Sequence, residues 1–177
     1  MADKVTAYLS LGSNIDDRMD YLTRAQKLLN ENLRIKIIKT SGVYETEPWP
    51  RDMVHDEHPH GEEGRKWFLN QVVEIETSLL PQELLRAGQE IEKKIGRKKR
   101  EHWGDREVDV DVLLYSDQII DTPDLQLPHR HMQDRQFVLV PLVEIAPDLK
   151  DPVAGHRFSD ILKKVRETDD HKVTPFL

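Results

Sequence analysis

The octet Val108-Asp109-Val110-Asp111-Val112-Leu113-Leu114-Tyr115 constrains this chain more than any other stretch. Apolar and acidic residues alternate with a period of two, the signature of a strand with one buried face. Val108, Val110, Val112 and Leu114 are expected on the inner face. Asp109 and Asp111 then share the outer one, with side chains pointing the same way. Aspartate is depleted in strands, and two carboxylates held this close repel. Two readings follow. One is a divalent hard cation such as magnesium, which takes a carboxylate or two together with waters and phosphates. The other is a solvated acidic face paired with nearby arginine or lysine.

What precedes the octet bears on that choice. Lys93, Lys94, Arg97, Lys98, Lys99, Arg100 and Arg106 stand against only Glu101 and Asp105, a local charge of +5 in a chain whose total is −7. By charge alone such a segment reads as a solvated turn. Beside paired aspartates it reads as a lid for a polyanion, because arginines, a metal ion and a polyphosphate are the recurring parts of phosphoryl transfer. Neither a Walker A loop nor G-x-G-x-x-G occurs, so a P-loop or Rossmann nucleotide site is not expected. His129, Arg130, His131 and Arg135 supply a second cationic group.

The rest of the chain predicts the scaffold. Val5, Ala7, Leu9 and Leu11 alternate as a strand, closed by a turn at Gly12-Ser13-Asn14. Asp16 and Asp17 suit the start of a helix running to about Asn30. Ile35 to Tyr44 reads as one strand with a bulge at Ile37-Ile38. A long polar connection follows Pro48, and Trp67 to Thr77 reads as the next strand. Pro81 opens a helix, whose apolar face is Leu84, Gly88, Ile91 and Ile95, and Gly96 stops it. Ile119-Ile120 and Leu125 to Leu127 are short strand candidates, Phe137 to Ile145 is an apolar run containing Pro141, and Ser159 is expected to cap a last helix. The order strand, helix, strand, strand, helix, strand predicts an α+β fold: a ferredoxin-like antiparallel sheet with helices packed on one face, plus C-terminal additions. All 177 residues fit one domain.

Composition narrows the function. The 33 acidic against 26 basic residues argue against coating nucleic acid, and no apolar run is long enough to span a membrane. Without cysteine there are no disulfides, thiolate zinc sites or cysteine nucleophiles, which suits the cytoplasm. His55, His58 and His60 in the long connection are the other metal candidates, but no matching ligand stands elsewhere. Phe68 and Asn70 share strand parity, opposite to Leu69 and Ile75. They read either as an edge aromatic and a turn-like amide or as a pocket for a flat heterocycle.

Taken in order, Leu11-Gly12-Ser13-Asn14, Tyr44-Glu45-Thr46, Phe68-Leu69-Asn70, Gly96-Arg97 through Trp103-Gly104, Asp109-Val110-Asp111, Pro128-His129 and Arg135-Gln136-Phe137 resemble the 6-hydroxymethyl-7,8-dihydropterin pyrophosphokinases. The resemblance covers about residues 5 to 147. It implies transfer of pyrophosphate from ATP to the hydroxymethyl group of the dihydropterin, with release of AMP, in folate synthesis. It implies two magnesium ions on Asp109 and Asp111, and Arg97 and Arg106 as catalytic arginines. ATP would meet Gln89, Glu92, Arg97, Trp103, Arg106, Val112, His129, Arg130 and Arg135. The pterin would meet Thr46, Glu47, Phe68, Asn70, Trp103, Asp109 and Phe137. Two departures stand out: Gly104-Asp105-Arg106 where the family usually has Gly-Pro-Arg, and Arg130 where an aromatic is frequent.

The alternatives are an RNA-binding sheet module and a magnesium-dependent nucleotide hydrolase without pterin specificity. Asp109, Asp111, Glu74 and Glu76 would repel RNA from the open face. The expectation is therefore a monomeric cytoplasmic enzyme whose partners are ATP and the pterin, with no nucleic acid and no membrane.

Overall fold

The computed structural model describes residues 3–47, 67–98 and 105–176. Its centre is a six-stranded antiparallel sheet in which β5 (Asp109–Tyr115), β1 (Val5–Ser13), β4 (Phe68–Thr77), β3 (Val43–Thr46) and β8 (Val173–Phe176) lie side by side. β2 (Ile35–Thr40) pairs with the far half of β4, and β3 pairs with its near half.

α1 (Arg18–Glu31) starts at Asp17, whose carboxylate accepts the Asp20 N–H at 3.0 Å, and buries Leu22, Ala25 and Leu29. α2 (Pro81–Ile95) begins on Pro81 and ends at Gly96 with φ +102°, a left-handed conformation that glycine adopts without strain. The apolar faces of both helices meet Ala7, Leu9 and Leu11 of β1 and Leu69, Val73 and Ile75 of β4. Each leucine buried there contributes about 1.5–3 kcal/mol.

The alternate residues Tyr8 and Val72 belong to a second apolar cluster, made with α3 (Gln136–Ile145) and α4 (Phe158–Thr168). Helices therefore cover both faces of the sheet. The C-terminal additions form the second layer, where the sequence predicted helices on one face only. α3 forms despite Pro141 and is the apolar run 137–145. α4 begins one residue before Ser159, after Arg157, because the fully buried Phe158 anchors its first turn; Ser159 is not the cap.

Other departures have local causes. β1 continues through Gly12 and Ser13 instead of turning there. The single strand expected over 35–44 divides at Ser41-Gly42, where the Ser41 hydroxyl accepts the Val72 N–H and Glu144 of α3 accepts the Gly42 N–H. The bulge near Ile38 is present. A second bulge in β5 leaves Leu113 without a register partner and turns Leu114 towards α3 and α4, away from the valines. β8, with a proline inside it, is a strand the sequence reading lacked. The two short strand candidates are β6 (Ile120–Asp121) and β7 (Gln126–Leu127), which pair with each other. Among the described residues no helix is long and apolar enough to cross a membrane.

Candidate active site

The register sets Asp109, Gly12 and Asn70 side by side across β5, β1 and β4, with Tyr44 of β3 beyond, and Asp111 beside Ser10. Strand parity puts Asp109, Asp111, Gly12, Phe68, Asn70 and Thr46 on the face opposite α1 and α2, as the alternation predicts for the two aspartates. α3 and α4 cover only the half of that face around Tyr8 and Val72.

Asn70 is buried, and its side-chain amide donates to Thr46 Oγ at 2.6 Å. A Cβ at position 12 would stand 2.8 Å from Asn70 Oδ1, so only glycine lets the amide lie flat over β1. Phe68 is half-buried two residues earlier. Glu47 is tied to the C-terminal segment: its N–H donates to the Lys172 carbonyl at 3.2 Å and its carboxylate accepts the Lys172 N–H at 3.0 Å.

Asp109 lies between two arginines. Arg97 Nη1 is 2.8 Å from one of its oxygens and Arg106 Nη1 is 2.6 Å from the other. Glu92 completes the group from α2. Its Oε2 is 2.6 Å from Arg97 Nη1, and its Oε1 accepts the Val110 N–H at 2.8 Å. Gly88, one turn before Glu92, permits this approach: a Cβ there would come within 3.1 Å of Val110. Burial raises the Glu92 carboxyl, against the Val110 N–H and Arg97, which lower it. Burial works against the Arg97 charge, but Asp109 and Glu92 outweigh it and raise its pKa.

Asp111 has no arginine at contact distance among the described ion pairs. Burial, Asp109 and Glu92 push its carboxyl up to about 7, against the more distant Arg135 and Arg106. Paired carboxylates with one so destabilised fit a divalent cation. Among the described residues no third aspartate, glutamate, histidine or cysteine joins them in a metal-binding group, so the remaining ligands would have to be waters or phosphate oxygens.

The loop's return is fixed by Asn14 of the Leu-Gly-Ser-Asn motif. Its side-chain oxygen accepts the Arg106 N–H at 2.6 Å, its N–H reaches the Arg106 carbonyl, and its amide donates to Asp105. On the other flank, His129 hangs from the Leu113 carbonyl, with its Nδ1 accepting the His131 N–H at 3.4 Å. That bond leaves the ring proton on Nε2. Burial, then Arg135 and His131, hold the imidazole down to about 4, so it is neutral at physiological pH. Burial also lowers Arg135, whose guanidinium stands 5.6 Å from the Phe137 ring centre.

The structure brings Glu92, Arg97, Arg106, Asp109 and Asp111 into one electrostatic group, which also feels Arg135. It places Thr46, Phe68 and Asn70 together beside that group. Gln89 is exposed on α2, one turn before Glu92. Val112 buries its side chain under the helices, so a contact from it to a ligand would come from its main chain. Arg130 is exposed and, with Pro128, His129, Gln133 and Asp151, lines a cleft of about 390 Å³. Trp103, and the histidines 55, 58 and 60, lie outside the described residues. The sequence assigns Gly12 and Asn14 to a turn and to the Leu-Gly-Ser-Asn motif, with no role in the site. A glycine inside an alternating strand was the signal for a close approach.

A family model described as 7,8-dihydro-6-hydroxymethylpterin-pyrophosphokinase (HPPK) matches residues 8–147. The 2-amino-4-hydroxy-6-hydroxymethyldihydropteridine pyrophosphokinase of Aquifex aeolicus is 44% identical over 148 residues, covering 84% of each chain. The Bacillus subtilis protein of the same name is 42% identical over 144 residues, covering 81% of this chain and 80% of that one. Among solved structures, Plasmodium falciparum HPPK-DHPS with pteroate superposes with a TM-score of 0.70 at 19% identity, over 92% of this chain. This chain spans 42% of that protein's length, and the likeness concerns the fold alone.

Proposed function

The chain belongs to the 7,8-dihydro-6-hydroxymethylpterin-pyrophosphokinase family and transfers pyrophosphate from ATP to 6-hydroxymethyl-7,8-dihydropterin in folate biosynthesis, and from that premise we propose how its own residues divide the work. The observation that carries the reading is the convergence of Arg97 and Arg106 on Asp109, with Asp111 beside it and the Asn70–Thr46 pair two strands away.

Asp109 and Asp111 would hold two magnesium ions, which would supply positive charge to the ATP phosphates. Arg97 and Arg106 are the cations placed to steady charge on the migrating pyrophosphoryl group and the departing AMP. Glu92 keeps Arg97 in place, and Gln89 lies on the same helix toward the nucleotide. His129 donates its Nε2–H to a phosphate oxygen, and Arg135 and Arg130 add positive charge. Asn70, anchored by Thr46, reads the hydrogen-bonding edge of the pterin, while Phe68 and Phe137 contact its ring. Thr46 and Glu47 offer main-chain contacts, and Trp103 is assigned to both substrates. The substrate's own hydroxyl attacks the β-phosphorus in line with the leaving AMP oxygen, so no nucleophilic side chain is needed; positioning and charge do the rest.

We also read the order β1, α1, β2 and β3, β4, α2, β5 as a ferredoxin-like core, and 1–177 as a single domain acting as a cytoplasmic monomer. Calorimetric titration of magnesium into protein with a non-hydrolysable ATP analogue tests the metal site. Two ions per chain in the wild type, and loss of magnesium-dependent nucleotide binding in Asp109→Ala, are expected. A single ion would overturn the count, and unchanged binding in the variant would overturn the site.

A further inference from the structure

Arg18 opens α1 on the side of the sheet away from the reacting groups, and no role in the reaction falls to it above. Its position is odd for a helix. A cation in the first turn opposes the helix dipole, so Arg18 does not serve α1. Its contacts are to other segments. Nη1 donates to the Trp67 carbonyl at 2.7 Å, Nη2 pairs with the Glu45 carboxylate at 2.8 Å, and the guanidinium stands 5.7 Å from the centre of the Phe176 ring. The side chain is only 23% exposed, so the fork is held from several directions.

Glu45 and Trp67 each sit one residue from a pterin-facing position: Glu45 precedes Thr46, and Trp67 precedes Phe68. In the register, Thr46 lies opposite Phe68 and Glu45 opposite Leu69. Side chains alternate along a strand, so a grip on Glu45 from behind the sheet fixes where Thr46 stands on the front. A grip on the Trp67 carbonyl does the same for Phe68, and through Thr46 Oγ it reaches Asn70. The C-terminal strand extends the frame, since Phe176 pairs with Val43 and Val173 with Thr46.

We propose that Arg18 is a positioning residue for the pterin, holding from the rear of the sheet the two strand ends that present Thr46, Phe68 and Asn70. This rests on the reading that places the pterin against Phe68 and Asn70. Arg18 touches no substrate. It fixes the separation of β3 and β4 where the heterocycle lies, and a loosened frame weakens pterin binding while the nucleotide side, built on β5 and α2, is left intact.

The test compares full-length wild type with Arg18→Ala, Arg18→Lys, Glu45→Gln and Asn70→Ala, measuring the pterin Kd by fluorescence quenching, KM for ATP and kcat at saturation. Arg18→Ala is expected to raise the pterin Kd about tenfold, with ATP KM and kcat within about twofold. Arg18→Lys keeps the ion pair but loses the fork, and falls between. Glu45→Gln is the milder variant, expected to shift the same constant if Arg18→Ala folds poorly. If Asn70→Ala weakens pterin binding and neither Arg18→Ala nor Glu45→Gln does, the Arg18 role is wrong. Equal losses for ATP and pterin would make Arg18 a purely structural residue. If Asn70→Ala leaves the pterin Kd unchanged, the pocket reading itself fails.

Discussion

Gly12 and Asn70 are cross-strand partners, and a Cβ on Gly12 would stand 2.8 Å from the Asn70 side-chain oxygen. The same glycine lies opposite Asp109 on its other side. One residue without a side chain thus separates the amide assigned to the pterin from the carboxylate assigned to the metal. Gly12→Ala should displace Asn70 at a cost of about 1–3 kcal/mol, typical of overpacking. The expected signature is a raised pterin KM with a smaller change for ATP, read from initial rates. Equal effects on both substrates would contradict it.

Thr46→Val removes the oxygen that holds the Asn70 amide while keeping the shape. Pterin affinity should fall about tenfold, near the loss of one buried hydrogen bond. Isothermal titration with the pterin checks this; an unchanged Kd would mean that Asn70 needs no anchor.

Arg97→Ala should lower turnover by roughly 10²–10³, as for other preorganised transition-state donors. Glu92→Gln keeps an oxygen for the Val110 N–H but loses the charge that holds Arg97. A fall of about tenfold in kcat is expected, with ATP affinity little changed. Single-turnover rates separate the two variants from product release.

Asp111 is ionised at a cost, desolvated and beside Asp109 and Glu92. At pH 8 without metal, Asp111→Asn should raise the melting temperature, because it removes a desolvated charge and its repulsion by those carboxylates. The wild type should gain stability on adding magnesium and ATP analogue, and the variant should not. Thermal melts in EDTA and in magnesium distinguish this from a neutral surface change.

His129 gives a pH dependence of definite sign. Its folded pKa, about 4, lies below its unfolded value of about 6.5, so the unfolded chain takes up the proton first. The stability it contributes is complete above about pH 6.5 and is lost as pH falls toward about 4. His129→Gln should therefore lose less stability than the wild type between those limits. Parallel melting curves for the two proteins would contradict the desolvated, neutral imidazole.

The fold was readable where one face of an element is apolar and the other polar. The alternation of β1 and of the first half of β5, and the helical spacing of α1 and α2, mark the face turned to the core under those two helices, although α3 and α4 cover part of the other face. α3 was not assignable because it is apolar almost all round and carries Pro141, so no period marked it. β8 is four residues with a proline at the sheet edge, held by pairing with β3 that only the folded chain supplies. In the site, strand parity alone placed Asp109 with Asp111 and Phe68 with Asn70. The arginines' convergence on Asp109 and the Glu92–Val110 bond join residues from α2, β5 and the segment that Asn14 holds at Arg106. No local pattern encodes that.

The most direct test mixes the protein with ATP, magnesium and 6-hydroxymethyl-7,8-dihydropterin and follows AMP, with and without the pterin, in the wild type and in Asp109→Ala. AMP should appear only when the pterin is present and should be nearly abolished by the substitution. AMP formed without pterin, or near-normal turnover in Asp109→Ala, would contradict the assignment of this carboxylate pair and its arginines to pyrophosphoryl transfer.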